Sequence, residues 1–166
     1  SRNGAVYKAP QSYGLRLFVN PNRAKAYNFG GNAGFTKQSL LGGKSYVFYF
    51  FQNLRLNDKL SLGLDLFYEP SYNFVGWAGF SGDDVVFSKY DRNTVENTAD
   101  FKYSFTNRMG INARVRHYWS DRRNTAFYNL MSTGELSDYT GSTLKEVDRN
   151  YNVFNIKQFY YGFLSN

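Results

Sequence analysis

The stretch ADFKYSFTNRMGINARVRHYW, Ala99 to Trp119, decides the fold. Its first half sets Ala99, Phe101, Tyr103 and Phe105 against Asp100, Lys102 and Ser104. Its second half sets Ile111, Ala113, Val115, His117 and Trp119 against Asn112, Arg114, Arg116 and Tyr118. A helix would scatter these sets around its circumference, whereas a strand, with a side-chain period of two, separates them. Asn107-Arg108-Met109 lies between the halves as a turn, so the stretch is an antiparallel hairpin. A two-residue turn would oppose Ser104 to Ile111, a polar face to an apolar one. An odd-length turn pairs Phe105 with Ile111, Tyr103 with Ala113 and Phe101 with Val115. That register sets Asp100 opposite Arg116 and Lys102 opposite Arg114, a repulsion that Asp100 relieves diagonally.

The same pattern extends toward the start of the chain. Tyr46, Phe48, Phe50, Leu54 and Leu56 share a face that only Gln52 interrupts. Leu60, Leu62, Leu64, Leu66 and Tyr68 share a face opposite Ser61, Gly63, Asp65 and Phe67. The turn Asn57-Asp58-Lys59 joins them, and parity pairs Leu54 with Leu62 and Phe50 with Leu66. Both turns open with Asn, which tolerates the left-handed conformation. Asn20-Pro21-Asn22-Arg23 ends a further strand, and Leu41-Gly42-Gly43 closes another. The expected strands are 13–19, 24–38, 45–56, 60–68, 94–106, 110–119 and 151–163. Tight turns fall around Pro21, Asp58 and Arg108, and long connections run from Glu69 to Asn93 and from Ser120 to Arg149. The short turn at Leu41 departs from this division.

Composition narrows the class. Among 166 residues 42% are hydrophobic and 20% are aromatic, with no Cys and one His. Mean hydropathy is nevertheless -0.54, and in the clear hairpins apolar residues alternate with polar ones. No apolar run approaches the ~18 residues of a transmembrane helix. The absence of Cys excludes disulfides and thiolate metal sites. The net charge of +7 is dispersed, and its longest basic cluster is Arg122-Arg123, so no nucleic-acid arm is present.

Three features favour a barrel in a membrane over a soluble one. The clear strands offer about 10 residues each, enough to cross a bilayer when tilted. Their polar faces carry full charges at Asp65, Asp100, Lys102, Arg114 and Arg116, which suit a wet lumen. Tyr46, Tyr68, Tyr118 and Trp119 gather near the strand ends beside the long connections, where an aromatic belt would lie. The expected fold is all-β, an antiparallel up-and-down transmembrane β-barrel. Leu60, Leu62, Leu64, Leu66, Phe101, Phe105, Val115, His117 and Trp119 are its expected lipid-facing or interfacial residues. A count of seven strands is odd for a closed bacterial barrel. Either a strand lies in Asp84–Tyr90, or residues 1–166 are the C-terminal portion of a larger barrel; the second is the expectation.

One region is more specific. Asp84-Val85-Val86-Phe87, Asp91-Arg92-Asn93-Thr94-Val95-Glu96-Asn97-Thr98, Tyr103-Ser104-Phe105-Thr106-Asn107-Arg108-Met109-Gly110 and Arg116-His117-Tyr118-Trp119-Ser120 resemble a Bacteroidota outer-membrane β-barrel domain of unknown function. That domain often follows a family-9-like carbohydrate-binding domain. Asn152-Val153-Phe154-Asn155-Ile156 resembles its terminal segment. The family usually continues into a Pro-Gly turn and a final strand, whereas this sequence ends at Phe163-Leu164-Ser165-Asn166. The resemblance implies the outer membrane of a Gram-negative bacterium and a barrel larger than this chain. It carries over no catalytic residue.

Little in the sequence points to chemistry. His117 shares the apolar face with Val115 and Trp119, which favours an interfacial residue over a catalytic base. Asp83, Asp84 and Asp91 lack a calcium-loop pattern and read as solvated. Gly30-Gly31 and Gly42-Gly43 read as bulge or turn glycines. No catalytic, metal or cofactor residue is assigned. The expectation is a non-enzymatic outer-membrane pore, secretion or assembly component, or scaffold. Its partners would be outer-membrane lipid and other outer-membrane or periplasmic proteins, with no nucleic acid. The alternatives are a soluble β-barrel binding an apolar ligand and an outer-membrane-embedded hydrolase.

Overall fold

The computed structural model describes residues 6–22, 24–82, 84–139 and 149–162, with backbone alone at 149 and 158–162. Eight strands form one antiparallel sheet: β1 (Ser12–Val19), β2 (Tyr27–Gln38), β3 (Lys44–Arg55), β4 (Leu60–Ser81), β5 (Asp84–Thr106), β6 (Met109–Leu130), β7 (Leu136–Asp138) and β8 (Arg149–Gly162). Their spatial order follows the chain as far as β6. From there β7 pairs with the far end of β6, and β8 with residues 109–122. The sheet is strongly curled into a half-barrel. Among the described residues β1 and β8 pair along one side only. Arg23, Asp83 and Phe163–Asn166, which figured in the sequence reading, lie outside the described residues.

The hairpins obey parity, by different means. In β3–β4, Leu54 faces Leu62 and Phe50 faces Leu66. Asn57 holds that turn with its side chain and not with a left-handed backbone. Its Oδ1 accepts hydrogen bonds from the Lys59 and Leu60 N–H groups, both at 2.8 Å. Among the described non-glycine residues, only Leu41 and Asn73 have positive φ, at 52° and 54°.

The β5–β6 register is displaced by two residues from the expected one. Tyr103 faces Ile111, Phe101 faces Ala113 and Asp100 faces Arg114. The turn is the two-residue Asn107-Arg108, and an irregularity between Ser104 and Thr106 absorbs the odd residue. A bulge thus restores the parity that a two-residue turn alone would break. Like faces still meet, and the Lys102–Arg114 repulsion disappears because Lys102 faces Asn112.

Among the described residues most of both expected long connections is strand, residues 140–148 of the second lying outside them. β4 continues past Tyr68 to Ser81, turns at Gly82 (φ 59°), and β5 returns from Asp84. The extra strand sought in Asp84–Tyr90 is the start of β5. Ser120–Leu130 extends β6, and β7 is a further short strand. The alternation fails there for a physical reason: register shifts between Ser71 and Phe74, between Trp77 and Gly79, and beside Lys89 each exchange the two faces. The bulges are not left polar and unpaired. The Asn73 N–H donates to Asp91 Oδ1 at 2.8 Å, and Thr125 Oγ1 donates to the Lys89 carbonyl at 3.2 Å.

The apolar core lies in this extended end, at Val75, Ala78, Val86 and Phe87. The Arg122 guanidinium sits 3.8 Å over the Tyr90 ring and donates to Ser88 Oγ at 2.7 Å. Ser88 in turn donates to Asn124 Oδ1 at 2.7 Å, joining β5 to β6. The segment before β1 clasps the same end. The Lys8 N–H donates to the Gly134 carbonyl at 3.0 Å, Lys8 Nζ lies 3.7 Å from Glu135, and the Tyr7 ring lies 4.5 Å from that of Phe87. The Tyr7 hydroxyl is buried without a hydrogen-bond partner, and burial pushes its pKa up.

Two outcomes follow for the clasp. Tyr7→Phe is expected to match or exceed the parent in unfolding temperature, because an unpaired buried hydroxyl is removed. A phenol raised in the folded state favours folding less once pH passes its unfolded value of ~10. The advantage of Tyr7→Phe should therefore widen above that pH in paired thermal melts; a constant gap would show the hydroxyl to be hydrated. Gly134 has φ 83°, and an added Cβ would run into the Val6 carbonyl oxygen. Gly134→Ala should cost at least ~1–2 kcal/mol and speed hydrogen exchange at the Lys8 amide.

Candidate functional site

Strand pairing carries each residue set across the sheet in rows. On one face Leu62 lies between Leu54 and Phe101, and Phe101 is followed by Ala113. In the row formed by Leu64, Ala99 and Val115, the pairing continues to Ile156 of β8. Phe48, Tyr68, Val95 and Trp119 form a third row. These rows make up the convex face. Many of their side chains are open, including Leu15 (67%), Phe48 (49%), Phe101 (40%) and Ile156 (74%). Leu62, Leu66, Phe105 and Val115 are also exposed, while Leu60, Leu64, His117 and Trp119 are half-buried. Among the described residues, four hydrophobic side chains are buried and twenty-eight large ones are exposed.

The alternate residues make up the concave face. It encloses a trough of about 1440 Å³, and Asp65, Asp100, Lys102, Arg114 and Arg116 all line it. Two bidentate ion pairs cross its floor. Arg114 Nε and Nη2 donate to the two Asp100 oxygens at 2.6 and 3.2 Å. Arg116 Nε and Nη2 donate to the two Glu96 oxygens at 2.7 and 2.6 Å. Planar guanidinium and carboxylate groups match in this geometry, which fixes both orientations. Asp100 and Arg114 are direct cross-strand neighbours, but Arg116 faces Thr98 and reaches Glu96 along the diagonal. A sequence register two residues out gave Asp100 to Arg116 and left Glu96 without a role. Arg55, Asn155 and Lys157 also line the trough. They fall at polar positions of β3 and β8, in line with that alternation.

Farther from the tight turns the strands run on past the residues that line the trough. There Glu69 and Arg92 approach to 3.5 Å, and Thr94 and Ser120 share a buried hydroxyl contact of 3.3 Å. Farther on, the Arg122–Tyr90–Ser88 cluster fills the space between β5 and β6. That cluster leaves no mark in the alternation, because it lies beyond the bulges.

His117 lies on the convex face, in register with Asn97. Its Nε2 is 3.0 Å from Asn152 Oδ1, and its ring stacks on Phe154 with centroids 4.3 Å apart. These three polar residues interrupt the apolar rows. Asp84 and Asp91 are not brought into a metal-binding group: among the described residues no cluster of three His, Cys, Asp or Glu could hold a metal ion. No helix is long and apolar enough to cross a membrane, which says nothing about a β-barrel.

No curated protein and no solved structure matches this chain. A family model described as a domain of unknown function (DUF5916) matches residues 1–164, and the chain belongs to that family.

Proposed function

We propose that this chain is part of a transmembrane β-barrel in the outer membrane of a Gram-negative bacterium, serving as a pore, a secretion or assembly component, or a scaffold. The observation that carries this reading is the polarity of the sheet: apolar rows on the convex face, and on the concave one ion pairs and amides alongside Phe18, Tyr49 and Phe51. Burial of apolar surface stabilises a fold only where that surface leaves water. Here no described residue covers the convex rows, and lipid is the environment in which their exposure costs nothing. The dimensions agree. Leu60 to Tyr68 rises about 27 Å along the strand, or about 21 Å along the membrane normal at a tilt of about 40°, against an apolar band of about 25 Å. Tyr68 and Trp119, in one row at its upper limit, fit an interfacial belt.

The one-sided pairing of β1 and β8 supports a larger barrel, because a bilayer offers no partner to an open sheet edge. A Bacteroidota source and a preceding family-9-like carbohydrate-binding domain belong to the same proposal and rest on the sequence resemblance. In this reading the tight turns at Asp58 and Arg108 face the periplasm, and the extended β4, β5 and β6 stand beyond the outer headgroups. The activity is non-enzymatic: a wet passage or docking surface held by lipid. Neither alternative has comparable support. A cavity for an apolar ligand would not be floored by ion pairs, and His117 lies on the apolar face against Asn152 and Phe154.

The test uses the absence of Cys from this chain. Single cysteines in place of Leu62, Leu64 or Val115, and of Asp65, Lys102 or Arg114, would be labelled with a polarity-sensitive fluorophore in the full-length protein in lipid vesicles. The first three labels should emit as in hydrocarbon and be quenched by lipid-borne nitroxide; the second three should be quenched from water. A detergent-free soluble monomer with Leu62 and Val115 labels in water would overturn the proposal. In the same vesicles Leu64→Arg, at the middle of the Leu60–Tyr68 span, should lower folding stability by ~2–4 kcal/mol. Asp65→Asn should change it by less than ~1 kcal/mol.

A further inference from the structure

The trough is not electrically balanced along its length. Seven cationic side chains line it against three carboxylates, Asp58, Asp65 and Asp100. Asp100 is held by Arg114, and Arg116 is held by Glu96 deeper in the fold. Lys25, Arg55, Lys59, Lys102 and Lys157 remain against Asp58 and Asp65, and none of the five makes an ion pair with a described residue.

All five lie toward one end. Lys25 belongs to the connection between β1 and β2, and Lys59 to the β3–β4 turn. Arg55 and Lys102 flank Ser61 in the first concave row from that turn. Lys157 lies in the next row, opposite Arg114. Two strand spacings separate Arg55 from Lys102, about 10 Å, a gap that two long side chains can close around a solute. Between and behind them the floor is low. Ser61 is short, and at Gly63 an added Cβ would stand 3.2 Å from Asn53 Oδ1 and 3.3 Å from Asp100 Cβ. Concave walls of low polarizability focus the field of such a cluster and raise the local concentration of counter-ions. At the other end Glu69 and Glu96 each answer an arginine.

We infer that the tight-turn end of the trough is a binding surface for a multiply charged anion, a solute carrying two or more phosphate or carboxylate groups. Arg55 and Lys102 grip it over Ser61, and Lys25, Lys59 and Lys157 surround its approach. The inference rests on the concave face alone and holds whether the convex face meets lipid or water.

The experiment places a bimane label on a cysteine replacing Ser61 in the detergent-purified full-length protein and quenches it with iodide and with caesium. Iodide should quench several-fold more strongly than caesium at this site. A label at position 62, on the opposite face, should show no such preference. Tripolyphosphate and citrate, the phosphate and carboxylate arms, should each protect the Ser61 site from iodide at low salt, and inorganic phosphate should protect it far less. Arg55→Gln with Lys102→Gln should weaken tripolyphosphate protection by about tenfold per cation removed. Lys25→Gln with Lys59→Gln, in the connections, provides a second variant should the strand substitutions fail to fold, and should reduce the iodide preference. Equal quenching by the two ions, or protection by tripolyphosphate unchanged in a folded double variant, would overturn the inference. A water-exposed label at position 62 would count against the membrane reading only.

Discussion

Each strand of this protein has two unlike faces, and antiparallel pairing can join eight of them only if every connection conserves parity. A slip of one residue would turn a whole strand's apolar set into the charged trough. The structure meets this constraint locally. Asn57 shapes one turn with its side-chain oxygen. Asn107-Arg108 makes a turn of the wrong parity, and the irregularity beside Phe105 corrects it. The corrected register also places Asp100 against Arg114 and allows Arg116 to reach Glu96. Geometry and electrostatics therefore select the same pairing, and the trough inherits its order from the turns.

The two ends of the sheet are held by different forces. Toward the tight turns there is almost no core: side chains on one face are bare and those on the other are wet. Order there comes from the backbone ladder and from ion pairs that are too exposed to contribute much in water. Toward the extended end, bulges curl β4, β5 and β6 enough for Val86 and Ser88 to become fully buried. The Arg122 cluster and the Lys8–Gly134 clasp fasten that end. A rigid, protein-packed end thus adjoins one whose stability depends on its surroundings.

The sheet's central hairpins were legible because alternation survives over their whole length. Leu60 to Tyr68 and Ala99 to Trp119 each carry enough period-two contrast to assign both strand and face. The trough residues Asp65, Asp100, Lys102, Arg114 and Arg116 fall together for that reason. Legibility ended where parity was broken. Asn73, Ala78 and Thr125 sit at bulges, each of which swaps the faces, so a strand read by strict alternation looks like a loop. Glu96 was missed through a register two residues out, since parity fixes which face meets which but not which residue meets which.

The sequence by itself determined the class of structure and the chemistry of its faces. Period-two patterning is a local property, and it sorts the 20% aromatic residues and the polar residues that bring mean hydropathy to -0.54 onto opposite faces of the clear hairpins. Tertiary structure decided the register of β5 against β6, the length of the strands past Tyr68 and Trp119, the pairing of Arg116 with Glu96, and the surplus at one end of cations that pair with no described residue. Those depend on bulges and on contacts across strands far apart in the chain, and such contacts leave no periodic trace in the residues that make them.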